Sequence, residues 1–253
     1  MNEKNIDVHE KSSSKKGLFG FLETLLRSYR TSMYMAFYLI VAFICFLCFS
    51  FSFASGFFIY DLIDQLSLVA HPGLSFLIKG MGLTLGLLFF GITLMLSTVI
   101  FNLPVRRRLK KWKGNWYSLE GIPWFYHNAM FYLVRYTILD LITPSPIANL
   151  YLQAMGMRIG KGVVINTTNI SDPTLITIED HVTIGGSVTM MAHYGQKGVL
   201  CIAPVLIKKG SMVGLKASIF GGVTIDENVF IPPHHPVLPK THVLKNSFSM
   251  GES

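Results

Sequence analysis

An aliphatic residue recurs at every sixth position near the C-terminus of this 253-residue chain. The series is Ile207, Val213, Ile219, Ile225, Ile231 and Val237. A period of six matches neither an amphipathic helix, which repeats every 3.6 residues, nor an alternating strand, which repeats every second residue. It is typical of a solenoid in which short strands, joined by tight turns, direct every sixth side chain into a shared core.

The same period occurs earlier in the chain in two other frames. Its members are Ile159 and Ile165 in one frame, and Ile178, Ile184 and Met190 in the other. Because three hexapeptides make one coil, residues 157 to about 237 predict roughly four coils of parallel β-helix. The frame slips between Ile165 and Ile178 and again between Met190 and Ile207. Such slips mark loops that leave the stack, and loops on rigid scaffolds commonly carry chemistry.

Two long apolar segments precede the repeats, at about residues 33–59 and 74–101. The first contains no charged residue, and the second contains only Lys79, near its start, where a lysine can snorkel to the membrane surface. About 20 helical residues cross the hydrocarbon core of a bilayer, so each segment is long enough. The sequence therefore predicts two transmembrane helices.

The basic residues predict the orientation of these helices. They flank the pair as Lys15, Lys16, Arg27 and Arg30 before it, and as Arg106, Arg107, Arg108, Lys110, Lys111 and Lys113 after it. Residues 61–73, between the segments, carry Asp61 and Asp64 and no lysine or arginine. The positive-inside rule places both termini and the β-helix in the cytoplasm. Recruitment of acidic lipids or ligand phosphates is an alternative use of the basic run. Topology accounts for most of the net charge of +8, so the charge is no argument for nucleic-acid binding.

The chain divides into three predicted parts. Residues 1–120 form a membrane domain with an amphipathic N-terminal helix, residues 121–155 form amphipathic linker or cap helices, and residues 156–245 form the β-helix domain. The second part contains an aromatic stripe, formed by Trp124, Phe125, Tyr132, Leu133, Tyr136 and Leu139. This stripe is expected either at the membrane interface or under the first coil as its cap. Three cysteines give no sign of a disulfide framework, and Cys201 is assigned to the core of the β-helix.

Two stretches resemble a known superfamily. The first is PVLIKKGSMVGLKASIFGGVTIDENVFI, which is similar to the terminal coils of the hexapeptide-repeat acyltransferases. The second, IANLYLQAMGMRIGKGVVINTTNISDPTLITIEDHVTIGG, resembles the membrane-bound hexapeptide region of poly-lysine-synthetase-type nonribosomal peptide synthetases and of free-standing bacterial relatives. The resemblance implies an all-β left-handed parallel β-helix, although ordinary β crossovers are right-handed. It also implies a homotrimer in a bacterial inner membrane, with acetyl-CoA or another acyl-CoA as the donor substrate.

The second frame slip contains the candidate catalytic residue, His193, in the segment MAHYGQKG. In the acetyltransferases that the chain resembles, a histidine on a loop leaving the coil takes the proton from the acceptor hydroxyl as that hydroxyl attacks the thioester. A neutral imidazole is available for this at pH 7, because the unperturbed pKa of histidine is about 6.5. The alternative is that His193 is an ordinary polar loop residue.

Other residues are candidates for supporting roles. His181, Glu179, Asp180 and Tyr194 are possible supports of the base, with His181 facing His193 across a subunit interface. Gly185, Gly186 or Gly214 would supply a backbone N–H to the oxyanion, and Lys216 or Lys240 would bind the phosphates of CoA. The segment IPPHHPV departs from the small-residue corner that these acetyltransferases have near the CoA tail. Either the coil ends early there or the donor groove is reshaped.

The sequence leaves two classes of function open. The first is a membrane-anchored, CoA-dependent O- or N-acyltransferase that acts on a membrane-associated acceptor. The second is a non-catalytic trimeric scaffold that organises a membrane biosynthetic complex. No metal is expected, because the paired histidines of the γ-type carbonic anhydrases, which share this fold, are missing.

Overall fold

The computed structural model describes residues 9–245, 247 and 248, and its N-terminal half is helical. The helices there are α1 (Gly17–Ser28), α2 (Arg30–Ser67) and α3 (Pro72–Arg106). Both α2 and α3 are long and apolar enough to cross a membrane. Only 17% of the most apolar window of α2 and 28% of that of α3 are buried inside the protein, so neither is a core helix of the kind found in soluble domains.

The two long helices contain the predicted segments and extend beyond them. The connection between them is residues 68–71, shorter than the predicted loop of 61–73, because Asp61 and Asp64 lie in the last turns of α2. Lys79 lies 3.9 Å from Asp64, near that connection. The helices pack closely at two glycines. A Cβ on Gly56 would lie 2.8 Å from the carbonyl oxygen of Gly86, and one on Gly86 would meet the carbonyl of Gly56 at 2.7 Å.

The amphipathic helix α1 turns its apolar side chains outward. Leu18, Phe19 and Phe21 are exposed, whereas Glu23 is buried and bound by Lys15 and Arg27 at 2.5 Å each. An outward apolar face beside two apolar helices has the form expected of an interfacial helix.

Four helical pieces connect α3 to the repeats. They are α4 (Ile122–Val134), a π-helical turn (Arg135–Leu139), α5 (Asp140–Ile142) and α6 (Pro146–Ala154), and a 3₁₀ turn (Leu119–Gly121) precedes them. Proline begins both α4 and α6, at a position where the missing N–H costs no helical hydrogen bond. Ser145 caps α6 by accepting from the N–H of Ala148 at 3.2 Å.

The helix α4 lies between α3 and the first coil. Tyr126 donates to the carbonyl of Phe101 on α3 at 3.0 Å, and Tyr132 lies 2.6 Å from the hydroxyl of Ser171 in the first coil. Helix α4 therefore contacts the first coil and the long helix at once, whereas Tyr136 of the aromatic stripe is 71% exposed. That these helices cap the open end of the solenoid stays a prediction.

The C-terminal half consists of three parallel sheets that wind as one solenoid. The first sheet contains β2 (Arg158–Ile159), β5 (Ile176–Ile178), β10 (Val205–Ile207), β13 (Thr224–Ile225) and β16 (His242–Val243). The second contains β3 (Val164–Ile165), β6 (Thr183–Ile184), β11 (Met212–Val213) and β14 (Phe230–Ile231). The third contains β4 (Ile170–Ser171), β7 (Thr189–Met191), β12 (Ser218–Ile219) and β15 (Pro236–Val237). These strands make four coils, and β16 begins a fifth.

The structure confirms the six-residue period as the core of the solenoid. The members of the series from Ile207 to Val237 are all buried. The small or β-branched residues two positions before the first five of them are buried too, namely Val205, Ser211, Ala217, Val223 and Val229. In the first sheet, Ile178 aligns with Ile207, and Ile207 aligns with Ile225. Identical or similar aliphatic side chains thus stack from coil to coil and are buried, with one inward side chain for every six residues.

Both frame slips fall at the same corner of consecutive coils, between the third sheet and the first. After β4, the chain makes a 3₁₀ turn at Pro173–Leu175 before it enters β5. After β7, it leaves the stack as an antiparallel hairpin of β8 (His193–Gln196) and β9 (Val199–Ile202). The second slip is a loop that leaves the stack, as predicted, whereas the first is a short turn in which Pro173 and Leu175 stay buried.

A fourth, antiparallel sheet was not predicted. The strand β1 (Trp112–Asn115), which follows the basic run, pairs with β9, so that the order is β1-β9-β8. The predicted boundary between membrane domain and solenoid is therefore bridged by a sheet. The assignment of Cys201 to the β-helix core is wrong, because Cys201 is buried on β9, opposite Lys113 and Tyr194.

Candidate active site

The hairpin places His193 at the point where the chain leaves the second coil. His193 is the first residue of β8, and the hairpin is closed at its base by the N–H of Ala203, which donates to the carbonyl of Ala192 at 2.8 Å. The imidazole is largely covered, with its side chain 17% exposed. The base candidate is thus held by a sheet rather than by a free loop.

Directly below it, at the same corner of the first coil, lies Asp172. Its backbone is left-handed, with φ at 60° and ψ at 48°, a conformation that aspartate tolerates better than most residues. This turn directs the carboxylate inward, where it is completely buried. Oδ2 of Asp172 lies 2.6 Å from Nδ1 of His193.

Four donors converge on the carboxylate of Asp172. Oδ1 accepts from Nε1 of Trp124 and from Nδ2 of Asn128, both at 2.6 Å. Oδ2 accepts from the N–H of Ala192 at 3.0 Å, in addition to His193. A carboxylate has about four acceptor positions, so every one of them is used. Complete satisfaction is what makes a fully buried carboxylate tolerable.

The helix α4 supplies two of these donors on one face, because Trp124 and Asn128 are four residues apart. Asn128 holds Asp172 twice, since its Oδ1 also accepts from the backbone N–H of Asp172 at 3.0 Å. The indole of Trp124 stands edge-on to the imidazole of His193, with the ring centroids 4.8 Å apart. The cap helix thus fixes both members of the pair.

This arrangement selects one tautomer of His193. A carboxylate accepts hydrogen bonds and donates none, so the proton of the neutral imidazole lies on Nδ1. Nε2 then carries the lone pair. An imidazole held in this way by a buried carboxylate is suited to remove a proton at Nε2, and the carboxylate stabilises the imidazolium that results.

The third coil supports His193 from the other side. A Cβ on Gly221 would lie 2.9 Å from the backbone nitrogen of His193, so only glycine allows this close approach. In the fourth coil the same corner is occupied by Lys240, whose N–H donates to the carbonyl of Gly221 at 3.1 Å. Asp172, His193, Gly221 and Lys240 therefore form one column along the solenoid.

Of the predicted supporting residues, the structure brings Tyr194 and Lys240 to this column. Nζ of Lys240 lies 5.9 Å from the centroid of the Tyr194 ring. Burial raises the pKa of Tyr194. Tyr194 and Lys240 thus contact each other, while successive side chains of β8 point to opposite faces of the hairpin.

The other predicted supports lie at a different corner, between the first and second sheets. Oδ1 of Asp180 accepts from the N–H of Lys161 at 2.7 Å, and Oε2 of Glu179 accepts from the N–H of Lys209 at 3.1 Å. His181 is exposed there, with φ at 58°. Within one chain these three residues tie neighbouring corners together and are not in the column of His193.

The glycines chosen for the oxyanion lie at the third corner, between the second and third sheets. The N–H of Gly185 donates to the carbonyl of Val213, and that of Gly214 to the carbonyl of Ile231, both at 2.8 Å. Lys216 is exposed at this same corner, and its N–H donates to the carbonyl of Gly186 at 2.9 Å. Because the N–H groups of Gly185 and Gly214 are used between coils, this chain does not present them to an oxyanion.

The IPPHHPV segment does not end the solenoid. His234 donates through its N–H to the carbonyl of Leu215 at 2.8 Å, and β15 and β16 follow. The ring of His235 stands edge-on to that of Phe248, with the centroids 4.6 Å apart. The first of the two alternatives for this segment is therefore wrong. Among the described residues, no three His, Cys, Asp or Glu side chains are grouped so as to hold a metal ion.

Asp172, Trp124 and Asn128 were missed in the sequence. Asp172 lies in the first frame slip, in the segment NISDPT, so the reasoning that found His193 in the second slip would have found it. Trp124 and Asn128 gave no such signal, because their distance to Asp172 is set by how α4 docks on the coil.

Comparison with known proteins gives limited similarity. No family model matches the chain. Over 141 residues, 55% of this chain, it is 28% identical to delta-poly-L-ornithine synthetase of Acinetobacter baumannii (strain AB307-0294). The matched region is 11% of that protein's length. Among solved structures, the chain is similar to the native serine acetyltransferase 1 from Entamoeba histolytica, with a TM-score of 0.24 and 12% identity over 73% of this chain and 74% of that one. A likeness at that TM-score carries no argument about function.

Proposed function

We propose that the protein is a membrane-anchored acyltransferase that moves an acyl group, acetyl in the first instance, from acyl-CoA to a hydroxyl or amine of a membrane-associated acceptor. The observation that carries this proposal is the buried carboxylate of Asp172 bound to Nδ1 of His193. A buried charge with four donors is costly to build and is typical of a site that tunes a base.

In the proposed reaction, Nε2 of His193 takes the proton of the acceptor's O–H or N–H group. The acceptor oxygen or nitrogen then forms a bond to the thioester carbonyl carbon. The tetrahedral intermediate collapses as its C–S bond breaks, and the proton on Nε2 passes to the departing thiolate of CoA. The carboxylate of Asp172 stabilises the imidazolium between the two proton transfers.

Membrane anchoring forms part of the proposal. The wide exposed apolar faces, with Phe46 and Phe58 of α2 and Phe76 and Leu87 of α3 at 60% exposure or more, support two membrane-spanning helices. The basic residues on either side of the pair support an orientation with both termini and the solenoid on the cytoplasmic side. Left-handed winding, a homotrimer and a bacterial inner membrane come from the superfamily resemblance. The ornithine in the name of the curated relative is an amine, so amines belong among the acceptors to be tested.

The proposal is tested with the purified full-length protein in detergent. Acetyl-, succinyl- and palmitoyl-CoA are offered as donors, and free CoA is separated by chromatography, so that the three cysteines of the protein do not contribute to the signal. Without acceptor, water takes its place and CoA is released slowly. The variants are His193→Ala and, as the control, His71→Ala, which removes an exposed histidine from the connection between α2 and α3.

We expect the wild type and His71→Ala to bind donor and release CoA, and His193→Ala to bind donor without releasing CoA. Equal release from all three proteins would show that His193 is not the base. The absence of donor binding by the wild type would favour the scaffold function instead.

A further inference from the structure

A cavity lies at the start of the long helix α2, beside the β8–β9 hairpin. Its volume is about 510 Å³, within the range of small-ligand pockets. Half of the residues that line it are aromatic: Tyr34 and Tyr38 of α2, Trp116 and Tyr117 after β1, and Phe125 of α4. This cavity is not part of the column that holds His193.

A continuous series of rings connects the cavity with the candidate base. Atom Cζ2 of Trp116 would be 3.5 Å from a Cβ on Gly195 of β8, so its indole packs against the hairpin. The ring centroids of Trp116 and Trp124 are 5.9 Å apart, and those of Trp124 and His193 are 4.8 Å apart. The cavity therefore adjoins the element that carries His193.

The cavity is also fixed to the apolar helix. The hydroxyl of Tyr34 donates to the carbonyl of Trp116 at 2.6 Å, and its ring meets those of Tyr117 and Phe125 edge-on at 5.2 and 5.4 Å. Tyr38, one turn further along α2, is 48% exposed on the outer surface. The lining thus runs from the exposed side of the helix to the hairpin.

The chemistry of the lining fits an amphiphile. Tyrosine and tryptophan offer an apolar ring and a polar tip, the combination found where an apolar phase meets water. The guanidinium of Arg30 covers the ring of Tyr117 at 4.8 Å, so that face is not offered to a cationic ligand. No carboxylate of the described residues lines the cavity. An uncharged chain with a neutral or anionic head matches these features.

We propose that this cavity is the acceptor site and that the acceptor enters it from the bilayer. The apolar chain would lie against Tyr34, Tyr38 and Phe125, and the head that bears the hydroxyl would lie toward the β8–β9 hairpin. This inference rests on the proposed acyl transfer, and it adds both the substrate class, a membrane amphiphile, and the place where that substrate binds.

Fluorescence quenching tests entry from the bilayer without requiring turnover. The full-length protein is placed in nanodiscs of phosphatidylcholine with or without bromine atoms on the upper acyl chain, which quench tryptophan on contact. The contribution of Trp116 is the difference between the wild type and Trp116→Phe. Two variants each add a benzene ring to α2: Thr31→Phe on the cavity lining, and Leu39→Phe, which faces outward, as the matched control.

We expect brominated lipid to quench most of the Trp116 signal in the wild type and in Leu39→Phe, and Thr31→Phe to lose that quenching. Quenching of Trp116 by aqueous iodide but not by brominated lipid would overturn the proposal, because the cavity would then open to water. Equal lipid quenching in Thr31→Phe and Leu39→Phe would overturn it too, because contact would not depend on the cavity.

The release of CoA from donor is measured on the same samples. It depends on His193 and not on the cavity, so Thr31→Phe should retain it. Loss of quenching with CoA release intact is the expected signature of a blocked acceptor site. Quenching that behaves as expected in a protein that releases no CoA would reject the acyl transfer and leave a lipid-binding cavity.

Discussion

The carboxylate of Asp172 determines which nitrogen of His193 carries the proton, and Asp172→Asn tests this directly. The amide keeps the size of the side chain but replaces one acceptor oxygen with an NH2 group. That group would face hydrogen-bond donors that now bind the carboxylate. We expect CoA release to fall by about 10²–10⁴-fold, as for a base held in the wrong tautomer. The rate is measured at saturating acetyl-CoA.

The control for this substitution is Asp226→Asn, in the fourth coil of the same solenoid. It removes a carboxylate whose partners are Lys208 and His242, so the rate of CoA release should stay near that of the wild type. Equal losses in both variants would mean that Asp172 acts through the stability of the solenoid and not through His193. Thermal unfolding of each variant separates the two cases.

The close approach of Gly221 to the backbone of His193 leads to a second prediction. An alanine there would place Cβ 2.9 Å from the backbone nitrogen of His193, so the third coil or the hairpin must shift. Overpacking of this kind costs about 1–3 kcal/mol. We expect Gly221→Ala to lower the rate of CoA release more than it weakens donor binding. Gly80→Ala, where a Cβ meets open space, is the control and should leave both unchanged.

At the scale of elements, the solenoid derives its stability from stacked aliphatic side chains. Ile225 is completely buried between Ile207 and Val243 of the adjacent coils. Its truncation to alanine removes three methyl or methylene groups from a layer that cannot collapse, at a cost of about 2–5 kcal/mol. We expect Ile225→Ala to lower the unfolding midpoint markedly.

The control for this prediction is Val164→Ala, in a strand of the same solenoid. Val164 is 49% exposed on the outer face, so its loss should change stability by less than about 0.5 kcal/mol. Similar midpoints for the two variants would contradict the assignment of the six-residue series to the core.

The sequence predicted the elements that repeat and missed those that depend on long-range docking. The period of six identified the coils and their inward residues, because each coil repeats the same local geometry. The sequences of β1 and β8 are WKGN and HYGQ, which lack the hydrophobic alternation typical of strands. No local pattern therefore predicted that these segments are strands. The candidate base was predicted from a frame slip, whereas Trp124 and Asn128 reach Asp172 only through the tertiary placement of α4.

At the scale of the whole molecule, α4 joins the long apolar helix α3 to the candidate site. One buried histidine lies at the contact between α4 and α3. His127 of α4 is completely buried, and its Nδ1 lies 3.0 Å from Oδ1 of Asn102 on α3. Burial lowers the pKa of His127 to about 4. The neutral ring is therefore part of the folded structure.

This pKa gives the sign of a pH effect on stability. Between pH 6.5 and about 4, the unfolded chain binds a proton at His127 that the folded chain does not, so stability falls as the pH is lowered through this window. Lowering this pKa from 6.5 to about 4 corresponds to about 3 kcal/mol of folding free energy, which is lost once the pH has fallen below about 4. We expect His127→Gln to be less sensitive to acid than the wild type in unfolding experiments between pH 7 and 4.

The exposed His242, which pairs with Asp226 at 2.9 Å, supplies the matched control. His242→Gln should follow the wild-type pH curve through most of this window. If His127→Gln also followed the wild-type pH curve, the contact between α4 and α3 would not depend on a neutral His127.

The pairing of β1 with the hairpin of His193 determines where the chain can be shortened. A fragment that begins at residue 156, where the repeats begin, would contain Asp172 and His193 but neither Trp124 nor Asn128. It would leave Oδ1 of Asp172 without its two side-chain donors and β9 with an open edge. The smallest unit that preserves the candidate site therefore starts no later than Trp112. Expression of the repeats alone would yield a solenoid in which Asp172 and His193 lack the contacts that α4 and β1 provide.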